Sequence, residues 1–420
     1  MAESTDASGT RASSSPELRR GAARAFLREA IFLGQRPGAY LRSLVRPFNL
    51  LTLAVLGVGV PVIVYRFAKG LGAATNLSQL NPWGLWIGFD LLAGVALAAG
   101  GYTIAATVYL FGLKKYYPIL RPAILTGFLG YLLVIVGLMC DLGRPWRLPY
   151  PLFYSPGVTS VMFEVGWCVF LYFSVQFLEL CPAFFEWLGW RGARRVAAKL
   201  TIGVAVLGVV LSTLHQSSLG ALFLMAPTKL HPLWYSPFIP VFFFASSVVA
   251  GLTMVIVESS LTHRLFRHRL DPDRHVDVDD LALGLGKAAA IVLFSYFFLK
   301  LLGVADGHAW GYLRTPLGGW FLVEVLGFVL LPCLLFAYAA RHRSVRLTRV
   351  AAVIGVAGVV VNRLNVCLVA FNWDRPDRYV PHWMEIVTSV TIVMIGLGAF
   401  RWLVNRVPVL GEHPAWRGEH

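Results

Sequence analysis

The stretch LRPAILTGFLGYLLVIVGLMCDLGRPWRLPYPLFYSPGVTSVMFEVGWC, residues 120–168, decides how this chain is interpreted. An apolar run long enough to cross a bilayer ends at Asp141. A segment rich in proline, arginine and aromatic residues follows, and a second apolar run carries Glu164. An ionisable residue inside a membrane span is costly, so it marks a candidate functional site. The stretch therefore predicts two membrane-crossing helices and a functional carboxyl group on the second.

The composition is typical of a membrane protein. Of its 420 residues, 57% are hydrophobic and only 14% are charged, whereas a soluble domain averages about 25% charged residues. The first apolar run, 48–67, is long enough to span a bilayer and is not a cleavable signal peptide. In a soluble protein a net charge of +15 would suggest nucleic acid, but here it is a topology signal. We predict an all-α polytopic membrane protein with no nucleic-acid partner.

Runs of about 20 apolar residues predict ten spans. They are 48–68, 82–113, 119–141, 158–182, 196–225, 234–261, 280–304, 318–340, 347–371 and 383–405. The side that holds the N-terminus carries 26 Lys and Arg residues and the opposite side carries 9. These counts include cations close to span ends, and the remaining two, Lys287 and Arg363, lie well inside spans. Because positive charge is concentrated in cytoplasmic segments, both termini are expected in the cytoplasm.

Three segments are expected along the chain. Residues 1–47 form a basic cytoplasmic segment that is disordered over 1–20. Residues 21–46 mix arginine with Phe and Leu, which suits either an interfacial helix or a plain basic segment before the membrane. Residues 48–405 form the transmembrane domain, and 406–420 form a cytoplasmic tail. Spans two to five and six to nine are expected to form two four-helix bundles, with the first and last spans flanking them.

Several cofactor sites are not predicted by the sequence. The five cysteines all fall in apolar runs and none forms a CxxC pair, so no ligand set for an iron–sulfur cluster is predicted. A b-type haem needs two histidines on facing helices, and only His215 lies deep in a span. Neither a Walker motif nor a GxGxxG after a strand is present. We therefore predict no haem, no iron–sulfur cluster and no metal in this chain.

Four polar residues are predicted at similar depth, from a rise of about 1.5 Å per residue. Asp90 lies in the outer third of span two, Tyr131 near the middle of span three, Glu164 two turns into span four, and His215 in the outer half of span five. Arg144 follows the outer end of span three. Each of three residues also has a structural alternative. Asp90 would pair with Arg144 or cap the backbone, Tyr131 would be a core tyrosine, and His215 would make a buried structural hydrogen bond. Glu164 has no adjacent cation, which favours proton exchange with a ligand.

Other polar residues are candidates for a proton path. Glu179, Glu258 and Arg363 are expected nearer the inside, and Tyr102 lies in span two. The alternative for Glu258 is that its side chain extends to the interface, as long charged side chains near helix ends often do.

Eight ordered sequence blocks resemble the NrfD/PsrC family of polysulfide-reductase membrane subunits over residues 48–405. They are NPWGLWIGFD (81–90), AAGGYTIAATVYLF (98–111), YPILRPAILTGFLGY (117–131), CDLGRPWRLPY (140–150), SVMFE (160–164), LHQSSLGALF (214–223), KLHPLW (229–234) and LVAFN (368–372). Within the family the blocks resemble the HybB branch, the membrane subunits of hydrogenase-2 type nickel–iron hydrogenases. The resemblance implies ten spans, two four-helix bundles and no bound redox cofactor.

The resemblance also implies a function. The chain would pass electrons from a periplasmic ferredoxin-like iron–sulfur subunit, joined to [NiFe] hydrogenase small and large subunits, to quinone in the bacterial inner membrane. Menaquinone is the quinone that the family favours. Tyr131, Glu164 and His215 match family positions associated with the quinone site, and Asp90 and Arg144 would fix the helix ends around it.

Two other functions are weighed against this one. The first keeps the family and changes the partner to a polysulfide, nitrite or dimethyl sulfoxide reductase or an alternative complex III. The second is a secondary transporter, which also places ionisable residues at depth. The transporter is the weaker match, because spans broken by Gly or Pro in matching halves are not evident and the polar residues lie near one face.

Overall fold

Ten long apolar helices dominate the computed structural model, which describes residues 28, 31–269 and 277–411. They are α1 (Pro47–Lys69), α2 (Trp86–Leu110), α3 (Lys114–Asp141), α4 (Val161–Leu188), α5 (Arg191–Met225), α6 (Ile239–Leu265), α7 (Val278–Asp306), α8 (Pro316–Arg341), α9 (Val345–Val369) and α10 (Trp383–Val404). The part of the chain that is described contains no strand beyond one isolated bridge, Leu230 with Phe371. The prediction of an all-α protein with ten spans is confirmed.

The helices pack as the two expected bundles. In the first, α2 contacts α3, α3 contacts α4, α4 contacts α5, and α5 returns to α2. In the second, α6, α7, α8 and α9 close a ring in the same way. The bundles meet where α6 packs on α2 and α5 and where α9 packs on α2. Helix α10 lies against α2 and α3, so it flanks the first bundle as predicted.

Three helices depart from regular α geometry where polar residues occur. Asp90 lies in a π-helical segment of α2 (Trp86–Ala93), Glu324 in one of α8 (Val323–Leu330), and Asn365 in one of α9 (Asn365–Val369). Short π segments inside α-helices are frequent at functional sites, because the extra residue per turn re-aims side chains.

Two sides of the helical region can be distinguished from chain direction. We call the side on which the odd-numbered helices end and the even-numbered helices begin the distal side. We call the opposite side the proximal side. On the proximal side, the buried Glu186 carboxylate accepts hydrogen bonds from Arg121 at 2.7 and 3.0 Å and from Arg194 at 3.0 Å. This cluster joins the ends of α3, α4 and α5, so the basic residues there hold the bundle together as well as marking topology.

On the distal side, backbone contacts fix the helix ends. Arg66 of α1 is buried and donates to the carbonyl oxygen of Cys140 at 2.6 Å and to that of Leu142. Helix α10 begins with a capping box in which Glu385 accepts from the His382 backbone N–H at 3.1 Å. The same carboxylate accepts from the Asn76 backbone N–H at 3.0 Å, which ties the α1–α2 loop to α10.

The segment before the helices is described only in part. Residues up to Leu53 and those from Ala54 onward form two compact units. The prediction of disorder over 1–20 falls outside the described residues, as do 21–27, 29 and 30 and the tail from 412. Within the described residues of the predicted interfacial segment, Pro37–Ser43 is a short helix whose Leu41 side chain is exposed.

Candidate functional site

Three rings from three helices meet inside the first bundle. The ring of Tyr131, from α3, packs edge-on against Tyr172 of α4 with centroids 4.6 Å apart, and it lies 5.7 Å from the ring of His215 of α5. None of the three side chains is exposed. Ser212 of α5, one turn before His215, is also fully buried. We call these four residues the Tyr131 cluster.

Three of the four residues of the Tyr131 cluster, all except Tyr172, carry buried polar atoms without a hydrogen-bond partner in the described part of the chain. Across the described residues, no hydrogen bond of good geometry reaches the Tyr131 hydroxyl, the Ser212 hydroxyl, or either ring nitrogen of His215, although the Ser212 hydroxyl interacts with those of Tyr131 and Tyr172. Buried polar groups in folded proteins are nearly always paired, because an unpaired one costs about 1–3 kcal/mol. A group of such atoms at one place therefore indicates a site for a molecule that brings its own hydrogen-bonding groups.

Neighbouring polar residues hold the walls of this site. The Gln176 amide donates to the Tyr172 hydroxyl at 2.8 Å. Gln176 fits because Gly127 of α3 has no side chain, and a Cβ there would lie 2.6 Å from the amide nitrogen. Gln216 of α5 donates to the carbonyl oxygen of Val95 at 3.1 Å, which fixes α5 against α2. The first bond orients the Tyr172 side chain within α4, and the second positions α5 beside the unpaired atoms.

Glu164 lies at the rim of the first bundle and not inside it. Helix α4 begins at Val161, three residues later than predicted, so Glu164 falls in the first turn and its side chain is exposed. The prediction that it lies two turns deep is wrong. Glu164, Cys168 and Tyr172 are spaced four residues apart and share one face of α4. That face runs about 12 Å from the exposed carboxyl to the buried cluster.

Asp90 and Arg144 are not partners. The buried Asp90 carboxylate accepts a hydrogen bond from the Ser389 hydroxyl of α10 at 2.7 Å. Gly137 of α3 lies against Asp90, since a Cβ there would be 2.8 Å from the Asp90 Cβ. Arg144 is exposed beyond the distal end of α3. The Asp90–Arg144 pair, one of the structural alternatives for Asp90, is therefore wrong, and Asp90 instead joins α2 to α10.

The four proton-path candidates occupy different places. The Tyr102 hydroxyl is 3.0 Å from the hydroxyl of Ser247 in α6. Glu179 is half-buried on α4, and Glu258 is half-buried near the proximal end of α6. Neither carboxylate oxygen of Glu258 is solvent-exposed or hydrogen-bonded among the described residues, so the side chain does not extend to the interface. Its polar neighbour is Thr126 of α3.

Arg363 lies on the distal side, contrary to the expectation that it is nearer the inside. It is six residues before the end of α9, and α9 runs towards the distal side. Its guanidinium donates to the Ser246 hydroxyl at 2.8 Å, to the Phe243 carbonyl oxygen at 3.1 Å and to the Asn362 side chain at 2.8 Å. The side chain is completely buried and stacks on the Phe243 ring at 3.8 Å.

A buried ion pair in the second bundle was missed by the sequence analysis. Lys300 of α7 lies 3.5 Å from the Glu324 carboxylate of α8. Glu324 also accepts from Trp234 at 2.8 Å, Asn362 at 2.7 Å and Asn365 at 2.6 Å. We call these five residues the Glu324 cluster. Lys300 lies close to the end of its predicted span, and its burial is what distinguishes it from the other distal cations.

An aromatic group covers the distal end of the second bundle. His231, in the loop between α5 and α6, is buried against Trp373, Tyr312 and Trp234, with ring centroids 4.6, 5.3 and 5.5 Å away. Its Nδ1 accepts from the Leu233 backbone N–H at 3.2 Å. Burial lowers the pKa of His231 to about 4, so this histidine is neutral at pH 7. Nearby, Asn81, Trp83, Phe371 and Arg378 line a shallow cavity.

The residues present do not fit a haem. Among the described residues of the ten helices, His215 is the only fully buried histidine, since His263 lies half-buried in the last turn of α6. A histidine-ligated b-type haem needs a second histidine facing the first. No group of three or more His, Cys, Asp or Glu side chains that could hold a metal ion occurs within residues 28, 31–269 and 277–411. All five cysteines are free and buried.

Comparisons with known proteins identify relatives over most of the chain. The family described as "Polysulphide reductase, NrfD" matches residues 73–372. A protein of Nitratidesulfovibrio vulgaris with the bare name "Protein" is 55% identical over 381 residues, covering 90% of this chain and 98% of that protein. The "Probable Ni/Fe-hydrogenase 2 b-type cytochrome subunit" of Escherichia coli is 35% identical, covering 83% of this chain and 88% of that protein. The "Menaquinone reductase, integral membrane subunit" of N. vulgaris is 27% identical, covering 78% and 83%.

Proposed function

This chain belongs to the NrfD family of polysulphide-reductase membrane subunits, and from that premise we propose that it is the quinone-interacting membrane subunit of a respiratory [NiFe] hydrogenase. It takes electrons from a partner iron–sulfur subunit and passes them to menaquinone, with coupled proton transfer. The observation that carries the proposal is the Tyr131 cluster, where several buried polar atoms without partners lie among aromatic rings.

The Tyr131 cluster has the chemistry that a quinone head group requires. A quinone is a flat apolar ring with two carbonyl oxygens, so it needs aromatic walls and hydrogen-bond donors at its edges. The Tyr131 hydroxyl is a donor, and a neutral His215 ring provides one N–H. Both groups are buried and already in place, so they bind the head group without first losing other protein hydrogen bonds.

Reduction of a quinone takes up two protons, and this chain supplies groups that can carry them. His215 holds a proton beside the site, and Glu164 at the rim exchanges protons with water and passes them inward towards the site. Cys168 and Tyr172 continue the same face of α4 inward from Glu164. Tyr102, Glu179, Glu258 and Arg363 are candidates for longer proton paths, and Asp90 holds α2 to α10. Arg144 lies at the rim.

The partners and the orientation follow the relatives. The Escherichia coli relative is named as a Ni/Fe-hydrogenase 2 subunit, and a second relative is named as a menaquinone reductase subunit. We place the chain in a bacterial inner membrane with both termini cytoplasmic, so the distal side is periplasmic. The ferredoxin-like subunit then docks on the distal side, and the hydrogenase small and large subunits lie beyond it.

A second candidate keeps the quinone site and changes the partner. The menaquinone reductase relative is 27% identical over most of its length, which favours a general quinone-reactive role in another respiratory complex. The proteins that co-purify with this chain distinguish the two candidates.

The proposed function is tested with Glu164→Gln in the complex purified with its native partners. Native complex should reduce the naphthoquinone menadione with hydrogen, whereas the variant should lose at least about 90% of that rate, because glutamine keeps the shape of glutamate but cannot release a proton. Reduction of benzyl viologen, which takes electrons from the partner, should be unchanged. If the assembled variant reduces menadione at the native rate, Glu164 has no part in the reaction.

A failure of the native complex has a separate meaning. If it neither contains nickel nor oxidises hydrogen but reduces menadione with another donor, the chain serves a different respiratory complex. If it reduces no quinone with any donor that its partner oxidises, the quinone function itself is wrong.

A further inference from the structure

Gln176 of α4 governs how one hydroxyl of the Tyr131 cluster can hydrogen-bond. The side chain is completely buried, and its amide nitrogen donates to the Tyr172 hydroxyl at 2.8 Å. Its amide oxygen has no hydrogen-bond partner among the described residues. A polar side chain inside a membrane span is costly and is therefore expected to have a function. The function of Gln176 follows from which atoms of this contact donate and which accept.

Two glycines make room for the Gln176 amide and help to fix which way it faces. A Cβ on Gly127 of α3 would lie 2.6 Å from the amide nitrogen, and one on Gly101 of α2 would lie 3.2 Å from it. The same two Cβ positions are 3.2 Å from the carbonyl oxygen of Ala98 and 3.4 Å from that of Ala123, respectively. Carbonyl oxygens attract an N–H and repel another oxygen, so the amide nitrogen belongs on this side and the amide oxygen on the other.

This orientation decides the role of the Tyr172 hydroxyl. An amide nitrogen can only donate, so the Tyr172 oxygen accepts from Gln176 and its own proton points elsewhere. Glu179, which interacts with Tyr172 electrostatically, lies beyond Gln176 on the same face of α4 and takes no hydrogen bond from Tyr172 within the described structure. A hydroxyl that accepts one hydrogen bond donates the next one more strongly. Gln176 therefore leaves Tyr172 as a donor.

Three hydroxyl groups lie together in the Tyr131 cluster. The rings of Tyr131 and Tyr172 are 4.6 Å apart, and the Ser212 hydroxyl interacts with the hydroxyls of both. Among the described residues, Ser212 makes no hydrogen bond to the backbone of its own helix, whereas the adjacent Thr213 donates to the Val209 carbonyl oxygen at 2.8 Å. The Tyr172 proton is therefore offered inside the cluster, beside two other hydroxyls that no backbone group has taken up.

The site is richer in donors than in acceptors, because Tyr131, Tyr172 and Ser212 each have a proton to offer. A neutral His215 ring adds one N–H and one acceptor nitrogen. The two oxygens of a quinone need only donors, whereas the two hydroxyls of the reduced quinol also need acceptors. Because an unpaired buried donor costs binding free energy, such a site binds quinone more tightly than quinol. A free Tyr172 oxygen would be a further acceptor, and Gln176 occupies it.

We propose that Gln176 is a positioning residue that makes the Tyr131 cluster select the oxidised quinone over the reduced quinol. The inference rests on the proposed quinone function and adds a determinant of specificity to the same site. Gln176 acts through Tyr172, by occupying the accepting position of that hydroxyl, and not by contact with the ligand. Preference for the oxidised form suits a site that takes quinone from the membrane and releases quinol to it.

Paired affinities for the two redox forms test the inference. The full chain is placed in nanodiscs in oxygen-free buffer, and displacement of the quinone analogue 2-heptyl-4-hydroxyquinoline N-oxide gives the Kd of menadione and of its reduced form, menadiol. The native chain should bind menadione at least about tenfold more tightly than menadiol, as one unpaired hydrogen-bonding group would produce. Gln176→Met keeps an unbranched side chain of similar length without the donor, and it should lower this preference by at least about fivefold.

Three further variants separate this role from packing. Gln216→Met removes the other buried glutamine of the bundle wall, whose amide donates to the Val95 backbone, so the ratio of the two Kd values should stay native even where both affinities fall. Gly127→Ala displaces the Gln176 amide without removing it and should lower the preference, which keeps the test open if Gln176→Met does not assemble. In a Tyr172→Phe background, Gln176→Met should leave the ratio unchanged, because its partner is gone.

Each contrary result has a definite meaning. A native ratio in Gln176→Met or Gly127→Ala overturns the inference, and so does an equal loss of both affinities. A ratio that still changes in the Tyr172→Phe background overturns it too, since Gln176 would not act through Tyr172. A native chain that binds menadione and menadiol equally overturns the inference but leaves the quinone function standing. A native chain that binds neither compound overturns both.

Discussion

The two four-helix bundles bury polar side chains in opposite ways. In the second bundle, the Glu324 carboxylate is surrounded by four donors and Arg363 donates to three acceptors, so that around these two side chains only the Arg363 Nε and the nearby Tyr296 hydroxyl lack a partner among the described residues. In the first, the Tyr131 hydroxyl and both nitrogens of His215 have no partner in the described part of the chain. Completed networks stabilise a helix bundle, whereas incomplete ones indicate where a ligand belongs. The difference supports our proposal that the substrate binds in the first bundle.

The largest expected effect on folding comes from removing the carboxylate at the centre of the Glu324 cluster. Glu324→Ala leaves the Lys300 and Arg363 side chains buried without their anion, and removal of one partner of a buried pair costs about 3–5 kcal/mol. Thermal unfolding of the purified chain in detergent should show a large fall in Tm relative to native. Lys287→Ala, on the exposed face of α7, should leave the Tm unchanged. A Glu324→Ala variant with the native Tm would mean that the network does not stabilise the second bundle.

The largest effect on activity should come from the incomplete network. His215→Ala removes a proton-carrying group beside the proposed quinone, and such groups typically contribute about 10²–10⁴-fold to rate. Hydrogen-dependent menadione reduction should fall about 100-fold, with benzyl viologen reduction retained. His263→Ala, which changes the half-buried histidine near the proximal end of α6, is the control and should keep both rates. Equal losses in the two variants would remove the distinction between the bundles.

A smaller effect should be a fall in stability at low pH that originates at His231 on the distal side. Burial lowers the pKa of His231 to about 4, while an unfolded histidine titrates near 6.5. The unfolded state therefore binds the extra proton first as pH falls. Stability that is present above pH 6.5 should be lost towards pH 4, by at most about 1.4 kcal/mol per pH unit. His231→Gln should show a flatter dependence of Tm on pH. A slope equal to that of the native protein would show that His231 is not the titrating group.

The smallest expected effect is a difference in unfolding free energy between phenylalanine variants of two buried tyrosines in the first bundle. Tyr102→Phe loses the hydrogen bond to Ser247 and should cost about 1 kcal/mol. Tyr131→Phe loses no hydrogen bond within the described structure, so its unfolding free energy should stay within about 0.5 kcal/mol of native. Denaturation of both variants measures the difference. Equal destabilisation would mean that the Tyr131 hydroxyl is satisfied by the protein.

The sequence predicted the fold well because the bilayer sets the length of each helix. Every predicted span overlaps a helix of the structure, and the division into two bundles follows from chain order. Depth was predicted less well, because it depends on where each helix begins. A start at Val161 was enough to move Glu164 from the interior to the rim.

Side-chain partners were the least predictable feature. The sequence suggested Arg144 for Asp90, but the partner is Ser389, 299 residues away. Lys300 and Glu324 were missed because a charged residue near a helix end usually reaches water. Their burial depends on Trp234 and the α9 asparagines, which only packing brings together.

Direct binding of a quinone analogue to the purified chain tests the central claim. The fluorescence of 2-heptyl-4-hydroxyquinoline N-oxide is quenched when it binds protein, and titration into nanodiscs gives its Kd without any partner subunit. The native chain should bind about one equivalent. His215→Ala should raise the Kd about tenfold, as expected from the loss of one hydrogen bond of about 1.4 kcal/mol, while Lys287→Met should match native. Native affinity in His215→Ala would place the quinone elsewhere and contradict the assignment of the site to the first bundle.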